Sequence, residues 1–466
     1  MQKTNRKSRR VHVVGIKGVA MTALALYLSE QGAIVTGSDV PDTFPTDDAL
    51  RTRRIEIFSG FDPKRIETLR PDVVYYTGAH NGRENPEVAK AIALGIPSLP
   101  HGKALGELMK GSRGIVVAGC HGKTTTSAMV ATILSVAGKD PSYAIGCGWI
   151  GGLGAPGHWG KGKFFVAEGD EYITDPRHDM TPRFLWLDPE ILLITNVDYD
   201  HPDAYTDLAH VQKTFGLLAG KSKTVILNSD DPNSRPLLRS EAITYGLSPS
   251  ATYQVTKISS GRERMFFTLA ERGVEIGEFS LKVPGVHNVL NAAGAAVASA
   301  NAGIAWNDIR RGLLTFTGTK RRFEKLGEAR GVTYYDDYAH HPAEIRATLA
   351  ATRSWYPDRK IIAVFQPHTY SRTKALLSEF AKAFGDSDAV ILTDIYASAR
   401  EHDTLGISGI TLVTETQKNH RDVLFAPDKE AVSGELSRMA TEGSVVVFMG
   451  AGDIYLWAGA ILNVRA

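Results

Sequence analysis

The sequence predicts an α/β protein with doubly wound, mostly parallel sheets divided into three blocks. Three observations support this. Short β-branched runs end at glycine or a polar cluster, and each is followed by a helical stretch. The runs are continuously apolar over four to seven residues, as in strands buried on both faces. At 466 residues the chain is too long for one core and suits two or three domains.

The first block runs from residue 1 to 110 and opens with the strand Val11–Ile16. The turn Gly15-Ile-Lys17-Gly18-Val-Ala20-Met21 follows, with Asp39 after the next strand. This is a loose dinucleotide-type turn, suited to a diphosphate resting on a helix N-terminus. Val73–Thr77 is the next strand of the block. The second block, residues 111–316, starts at the linker Gly111-Ser-Arg-Gly114 and carries strands at Ile115–Ala118, Phe164–Ala167, Ile191–Val197 and Thr224–Leu227. Between Ala251 and Val283 polar and apolar residues alternate, with turn signals at Ser259-Ser-Gly261 and Arg272-Gly273, which predicts a small antiparallel meander. The third block, residues 317–466, has strands at Ile361–Phe365, Val390–Thr393 and Val445–Met449.

The most informative segment is Ile115-Val-Val-Ala-Gly119-Cys-His121-Gly122-Lys123-Thr124-Thr125-Thr126: a buried strand, a glycine turn and a helix start carrying a lysine and hydroxyls. Backbone N–H groups of such a turn meet phosphates, Lys123 meets the β/γ charge, and Thr124 or Thr125 reaches a magnesium ion. Val117 stands where a strict P-loop has its first glycine, so the loop is a shortened variant. Two later strands end in acids, Glu168-Gly-Asp170-Glu171 and Asp198-Tyr-Asp200-His201. In a parallel sheet these ends share the edge that carries the phosphate loop. Glu168 or Glu171 with His201 offers a hard cation the oxygens and single imidazole it accepts.

Other constellations are less specific. His287 and Asn288 open a small-residue helix, where an amide either pairs with a base edge or caps the helix. Thr319-Lys-Arg-Arg322-Phe-Glu324 is a basic cluster at a block junction, where an arginine can reach a γ-phosphate. Asp336-Asp337 suits ribose hydroxyls, while the adjacent His340-His341 cannot share one helix face as a metal pair. After Ile361–Phe365 come His368 and Arg372, the latter suited to bidentate capture of a carboxylate.

Composition excludes several classes. A net charge of +2 gives no reason to expect nucleic acid or an anionic membrane as partner. Two cysteines, Cys120 and Cys147, form no disulfide framework and fit a reducing compartment. The basic start, Met1 to Arg10, precedes no uninterrupted apolar run or cleavage site. No run approaches the roughly 20 apolar residues of a membrane span. The expectation is a cytoplasmic protein.

In chain order, these segments resemble the Mur ligases of peptidoglycan synthesis, nearly throughout: the glycine turn with Met21, Gly119-x-His-Gly-Lys-Thr-Thr-Thr126, Glu168-x-Asp-Glu171, Thr195-Asn196 with Asp200-His201, His287-Asn288-x-x-Asn291, Arg322-Phe-Glu324, Asp336-Asp337-Tyr-x-His-His-Pro342 and Gln366-Pro-His-x-Tyr-x-Arg-Thr373. The resemblance implies three domains: an N-terminal Rossmann-like domain for the UDP of a nucleotide sugar, a central P-loop-type domain for MgATP, and a C-terminal Rossmann-like domain for the amino acid. It implies addition of L-alanine to the carboxylate of UDP-N-acetylmuramate, with ATP and Mg²⁺, in a monomer or homodimer. Carried over by residue, Lys123, Arg322 and His201 form the catalytic group. Gly119, His121, Gly122, Lys123, Thr124, Thr125, His287, Asn288, Arg322 and Asp337 bind ATP. Thr124, Glu168, Glu171 and His201 hold the metal. Gly15, Gly18, Met21, Asp39, His368 and Arg372 bind the other substrates. Lys17 and Ala20 replace glycines of the family's first turn, and Thr369 stands where a second arginine is frequent. The lengthened segment Asp175–Arg183 resembles the murein-recycling relative that adds a tripeptide, which is the alternative reading. A P-loop NTPase without ligation is a remoter one.

Overall fold

The computed structural model describes residues 8–201, 203–238, 241–261, 263–397, 401 and 403–465; the basic start Met1–Lys7 and Pro202 lie outside these. The chain forms two compact units. One comprises Met1–Lys257, Phe267–Ser280 and Leu290–Thr317, the other Ile258–Phe266, Leu281–Val289 and Gly318–Ala466.

The first unit begins with a five-stranded sheet in the order Glu56–Ser59, Ile34–Asp39, Arg10–Val14, Val73–Tyr76, Ser98–Pro100. All four pairings are parallel. The helix Val19–Glu30 follows the glycine turn, and its face from Met21 to Leu28 is buried.

The second sheet has ten strands. Its centre is Arg113–Ala118, paired in parallel with Ile191–Ile194 on one side and Phe164–Gly169 on the other. The registers align Ala118 with both Ile194 and Gly169, so the phosphate turn and the two acidic strand ends emerge at one level. All four side chains of Ile191–Ile194 are buried, worth about 1.5–3 kcal/mol each against exposure. That burial explains why the strand reads as an unbroken apolar run. Thr224–Asn228, Ile243–Gly246 and the three strands Tyr253–Gly261, Arg264–Glu271 and Val274–Leu281 complete one edge. Arg272 and Gly273 both have positive φ, the two-residue turn that joins antiparallel neighbours, so the meander expectation holds there. Strand Tyr253–Gly261 runs through Ser259-Ser260-Gly261, so that earlier turn signal lies inside a strand. The helix Lys123–Val136 is buried from Thr124 to Leu134, and Gly312 of the helix Trp306–Thr315 lets the two backbones approach at Ile133.

The added length after Glu171 forms an antiparallel hairpin, Ile173–Asp175 with Asp179–Pro182. It packs on the first block, where a Cβ on Gly78 would lie 2.5 Å from Thr174 O. Lys103 Nζ meets Asp179 Oδ2 at 2.8 Å, and Arg83 N donates to Asp175 Oδ2 at 2.9 Å. The extra residues are thus consumed in an internal contact.

The second unit holds a six-stranded sheet in the order Glu324–Ala329, Val332–Asp337, Val445–Met449, Ile361–Phe365, Ala389–Leu392, Val423–Phe425. Only its first pair is antiparallel. Three of its four inner strands, Val445–Met449, Ile361–Phe365 and Ala389–Leu392, are apolar and buried throughout, which is why they were legible as strands. Among the described residues, no helix is long and apolar enough to cross a membrane.

Candidate active site

The phosphate turn is shaped by its neighbour strand. Gly119 has φ 141°, and a Cβ there would overlap Thr195 Oγ1. Gly122 has φ 79° and ends the turn, with Asn291 Oδ1 2.5 Å from where its Cβ would be. Between them, the peptide groups around His121 are gripped. Its N–H donates to Asn196 Oδ1 (2.9 Å), and its carbonyl accepts from Thr195 Oγ1 (2.6 Å) and Asn196 Nδ2 (2.9 Å). The Cys120 thiol donates to Asp198 O at 3.2 Å and accepts from Asp198 N at 3.1 Å. Asp231 Oδ2 in turn accepts from Val197 N at 2.8 Å. Sequence reasoning noted Thr195, Asn196 and Asp198 at this strand end but missed Asp231 and the use of Cys120, because their partners are distant in sequence.

The cationic and acidic groups converge at the helix start. Lys123 Nζ lies 2.9 Å from Glu171 Oε2 and donates to Glu171 Oε1 (3.2 Å) and to Cys120 O (3.1 Å). Burial is the strongest single influence and works against its charge, but Glu171, Cys120 and Asp170 together outweigh it and hold the ammonium protonated well above the usual lysine range. Thr124 Oγ1 donates to Glu168 Oε1 at 2.9 Å, and Gly146 N donates to Glu168 Oε2 at 2.8 Å. Burial pushes the Glu168 carboxyl up, and Lys123 pulls it partly back. Asp170 is also opposed by burial, yet Arg183 and then Lys123 hold it down at about 2. His201 has φ 61°, and its Nε2 lies 3.5 Å from Glu171 Oε1 and 3.7 Å from Asp200 Oδ2. Glu171, Asp200 and His201 each offer a ligand atom within 4.8 Å of the others. Thr124, Glu168, Glu171, Lys123 and His201 are therefore brought together, with Asp200 added to them. Thr125 is buried in the first helical turn.

The first-block turn differs in detail from its expected use. Gly15 has φ 78°, and a Cβ there would overlap Thr77. Gly18 sits at the N-terminus of Val19–Glu30. Met21, read as a substrate contact, is 2% exposed and belongs to the hydrophobic core. Asp39 is buried, its oxygens accepting from Lys17 N (2.7 Å) and Val40 N (2.8 Å), so it shapes the turn. Lys17 Nζ, in place of a family glycine, donates to Val40 O (3.2 Å) and Asp42 O (2.7 Å).

In the second unit, the basic cluster divides its roles. Arg321 is buried, donating to Asp336 Oδ2 (3.1 Å) and Gly450 O (2.7 Å). Arg322 is partly exposed, 3.6 Å from Glu344 Oε1 and over the Tyr338 ring. Asp337 is buried; its oxygens accept from Phe323 N (2.7 Å) and Ala339 N (2.8 Å), and burial raises it to about 6 despite Arg322. Asn288 Nδ2 donates to Pro284 O at 2.7 Å, which uses the amide within its own turn. His287 is held down at about 4 by burial and then by Arg322. His368 stacks on Tyr396 with ring centroids 5.8 Å apart, Arg372 is buried, and Thr369 takes φ 70° between them.

A lysine-bearing phosphate turn in register with acidic strand ends defines an enzyme that works on a nucleotide triphosphate. Comparison makes this specific. The models of the Mur ligase family catalytic domain, the Mur ligase middle domain and the Mur ligase glutamate ligase domain match residues 10–113, 161–299 and 321–452. The chain belongs to the Mur ligase family, and is an ATP-dependent ligase with the three-domain architecture of that family. It is 39% identical over 450 residues to the UDP-N-acetylmuramate–L-alanine ligase of Desulfitobacterium hafniense, covering 96% of this chain and 97% of that protein. It is 39% identical over 454 residues to the enzyme of the same name from Salinibacter ruber, covering 96% and 93%. Among solved structures it is similar to the UDP-N-acetylmuramate–alanine ligase of Thermotoga maritima, with a TM-score of 0.82, 27% identity, and 97% and 98% of the two chains covered. The murein peptide ligase of Psychrobacter arcticus shares the fold at a TM-score of 0.71 and 22% identity, over 98% of each chain.

Proposed function

We propose that this chain joins L-alanine to the carboxylate of UDP-N-acetylmuramate, converting ATP to ADP and phosphate, in the cytoplasmic assembly of peptidoglycan precursors. The observation that carries the reading is the convergence of Lys123, Thr124, Glu168, Glu171 and His201 at one sheet edge. Near-full-length similarity to ligases of that name supports it. The sugar carboxylate attacks the γ-phosphate to give an acyl phosphate and ADP; the amine then attacks the acyl carbon, and phosphate leaves. Both partners of the first step are anions, so charge neutralisation and in-line positioning are the main tasks.

Lys123 holds the β/γ charge from the helix start, and Arg322 serves the transferring phosphoryl group. The backbone N–H groups of Gly119–Thr124 line the turn that takes the phosphates. The donor set of Thr124, Glu168, Glu171, Asp200 and His201, oxygen with one imidazole, fits Mg²⁺. When bound, that ion supplies positive charge to the phosphate oxygens. His287, Asn288 and Asp337 serve the nucleoside, and His368 and Arg372 orient the amino acid. We assign 1–110 to the UDP-sugar, 111–316 to ATP and 317–466 to the amino acid, in a monomer or homodimer. The lengthened Asp175–Arg183 segment forms a hairpin against the first block, and it is the near-full-length relatives named for L-alanine that set this reading above the tripeptide-adding one. The test is phosphate release from ATP and UDP-N-acetylmuramate with L-alanine, glycine, L-serine or the tripeptide offered in turn. L-alanine should stimulate most; stimulation by the tripeptide alone would overturn the assignment.

A further inference from the structure

His80, Asn81 and Gly82 hold consecutive positive φ values of 52°, 68° and 50°. Glycine accepts that region freely, and asparagine and histidine enter it more readily than most side chains; here a neighbouring element holds all three there. The group that holds them comes from the separate two-stranded hairpin Ile173–Asp175 with Asp179–Pro182. Asp175 is buried, and its Oδ2 accepts from Arg83 N at 2.9 Å. Its carboxylate fills the space beside Gly82, where a Cβ would lie 2.6 Å from either oxygen. Locally, Gly82 N donates to Ala79 O (3.0 Å) and Asn85 Nδ2 to His80 O (3.1 Å).

The turn delivers one titratable side chain to the first-block glycine turn. His80 Cδ2 lies 3.6 Å from the position a Gly15 Cβ would take, and Nε2 lies 3.4 Å from Asp39 Oδ1. The ring packs on Phe61 at 5.2 Å between centroids, and about a quarter of the side chain (24%) stays exposed. Lys17, the basic residue within the glycine turn, is directed onto the carbonyls of Val40 and Asp42 instead. We propose that His80 binds the diphosphate of the nucleotide sugar, and that Asp175 is a positioning residue acting through it from the neighbouring domain. A ring braced by Phe61 and Asp39 presents an N–H donor to a phosphate oxygen at little entropic cost. This rests on the proposed function, since it needs a UDP-sugar at the first block.

The experiment measures inhibition by UDP and by uridine against UDP-N-acetylmuramate in phosphate release, for the full-length protein, His80→Ala, Asp175→Asn and the double variant. His80→Ala should weaken UDP about tenfold, the worth of one charge-assisted hydrogen bond, and leave uridine and the KM for ATP unchanged. Asp175→Asn should weaken UDP severalfold alone and add little on the His80→Ala background. His80→Gln, which keeps a donor, should recover part of the loss. Equal weakening of UDP and uridine, or full additivity of the two variants, overturns the proposal. Wild-type protein that UDP does not inhibit at all would instead overturn the assignment of the first block to a UDP-sugar.

Discussion

Lys123 does two jobs that a single substitution confounds and a double substitution separates. Its ammonium is 2.9 Å from Glu171 Oε2, with side chains 14% and 3% exposed. At an effective dielectric of about 20, that separation gives roughly 6 kcal/mol of attraction. Removing one member leaves the other charge buried, and the net cost of breaking such a pair is about 3–5 kcal/mol. Lys123→Ala should therefore lower the melting temperature of the unit containing it by roughly 10 °C. It should also abolish ADP formation. Adding Glu171→Gln removes the stranded carboxylate, so the double variant should recover most of the lost melting temperature. Activity should stay absent, because neither the phosphate-binding cation nor the second acid is restored. Differential scanning fluorimetry reads the first quantity and ADP release the second. If the double variant melts as low as the single one, the pair is not the source of the cost. If Lys123→Ala still releases ADP at near wild-type rate, the phosphate-turn assignment itself fails.

Three further outcomes follow from the geometry. Gly119→Ala must leave φ 141° or displace Thr195, so the KM for ATP should rise at least tenfold and the melting temperature should fall; an unaltered KM would show that the turn tolerates the shift. In the basic cluster, Arg321→Ala strands the buried Asp336 and should destabilise the second unit by about 3–5 kcal/mol. Arg322→Ala should instead cut turnover while melting within about 0.5 kcal/mol of wild type, and a reversed pattern would exchange their roles. Burial, then Arg183, holds His101 down at about 4 against an ordinary value of 6.5. The unfolded chain thus takes up this proton first, and the first unit should lose up to about 3 kcal/mol as pH falls from 6.5 to 4. Urea melts across that window should flatten in His101→Gln; an unchanged slope would refute the assignment.

The strands at Arg113–Ala118, Phe164–Gly169 and Ile191–Ile194 were legible because burial on both faces removes polar residues from the run. The parallel sheet then dictates that their following acids share an edge. Roles that depend on long-range contacts were not legible. Asp39 follows the second strand and was carried over as a substrate contact, yet its oxygens accept from Lys17 N and Val40 N of its own turn. Met21 occupies a motif position but faces the core. Arg321 and Arg322 are adjacent and chemically identical, and Asp336, Gly450, Gly452 and the Tyr455 ring decide which one is locked. Spacing reports which side chains emerge at an edge; it does not report which of them the fold has already used.

That distinction bears on how the phosphate turn is held. Its glycines supply conformational freedom, but Thr195, Asn196 and Asp198 supply the shape, through bonds to the backbone of His121 and the thiol of Cys120. The same strand end continues to Asp200 and His201, beside Glu171. A displacement of Thr195–His201 would therefore move the phosphate turn and the candidate cation ligands together. Asp231, buried and accepting from Val197 N, braces the middle of that segment. A single short strand end thus fixes the separation between the proposed phosphate turn and the candidate cation ligands, so that both stay placed for the positioning that phosphoryl transfer relies on.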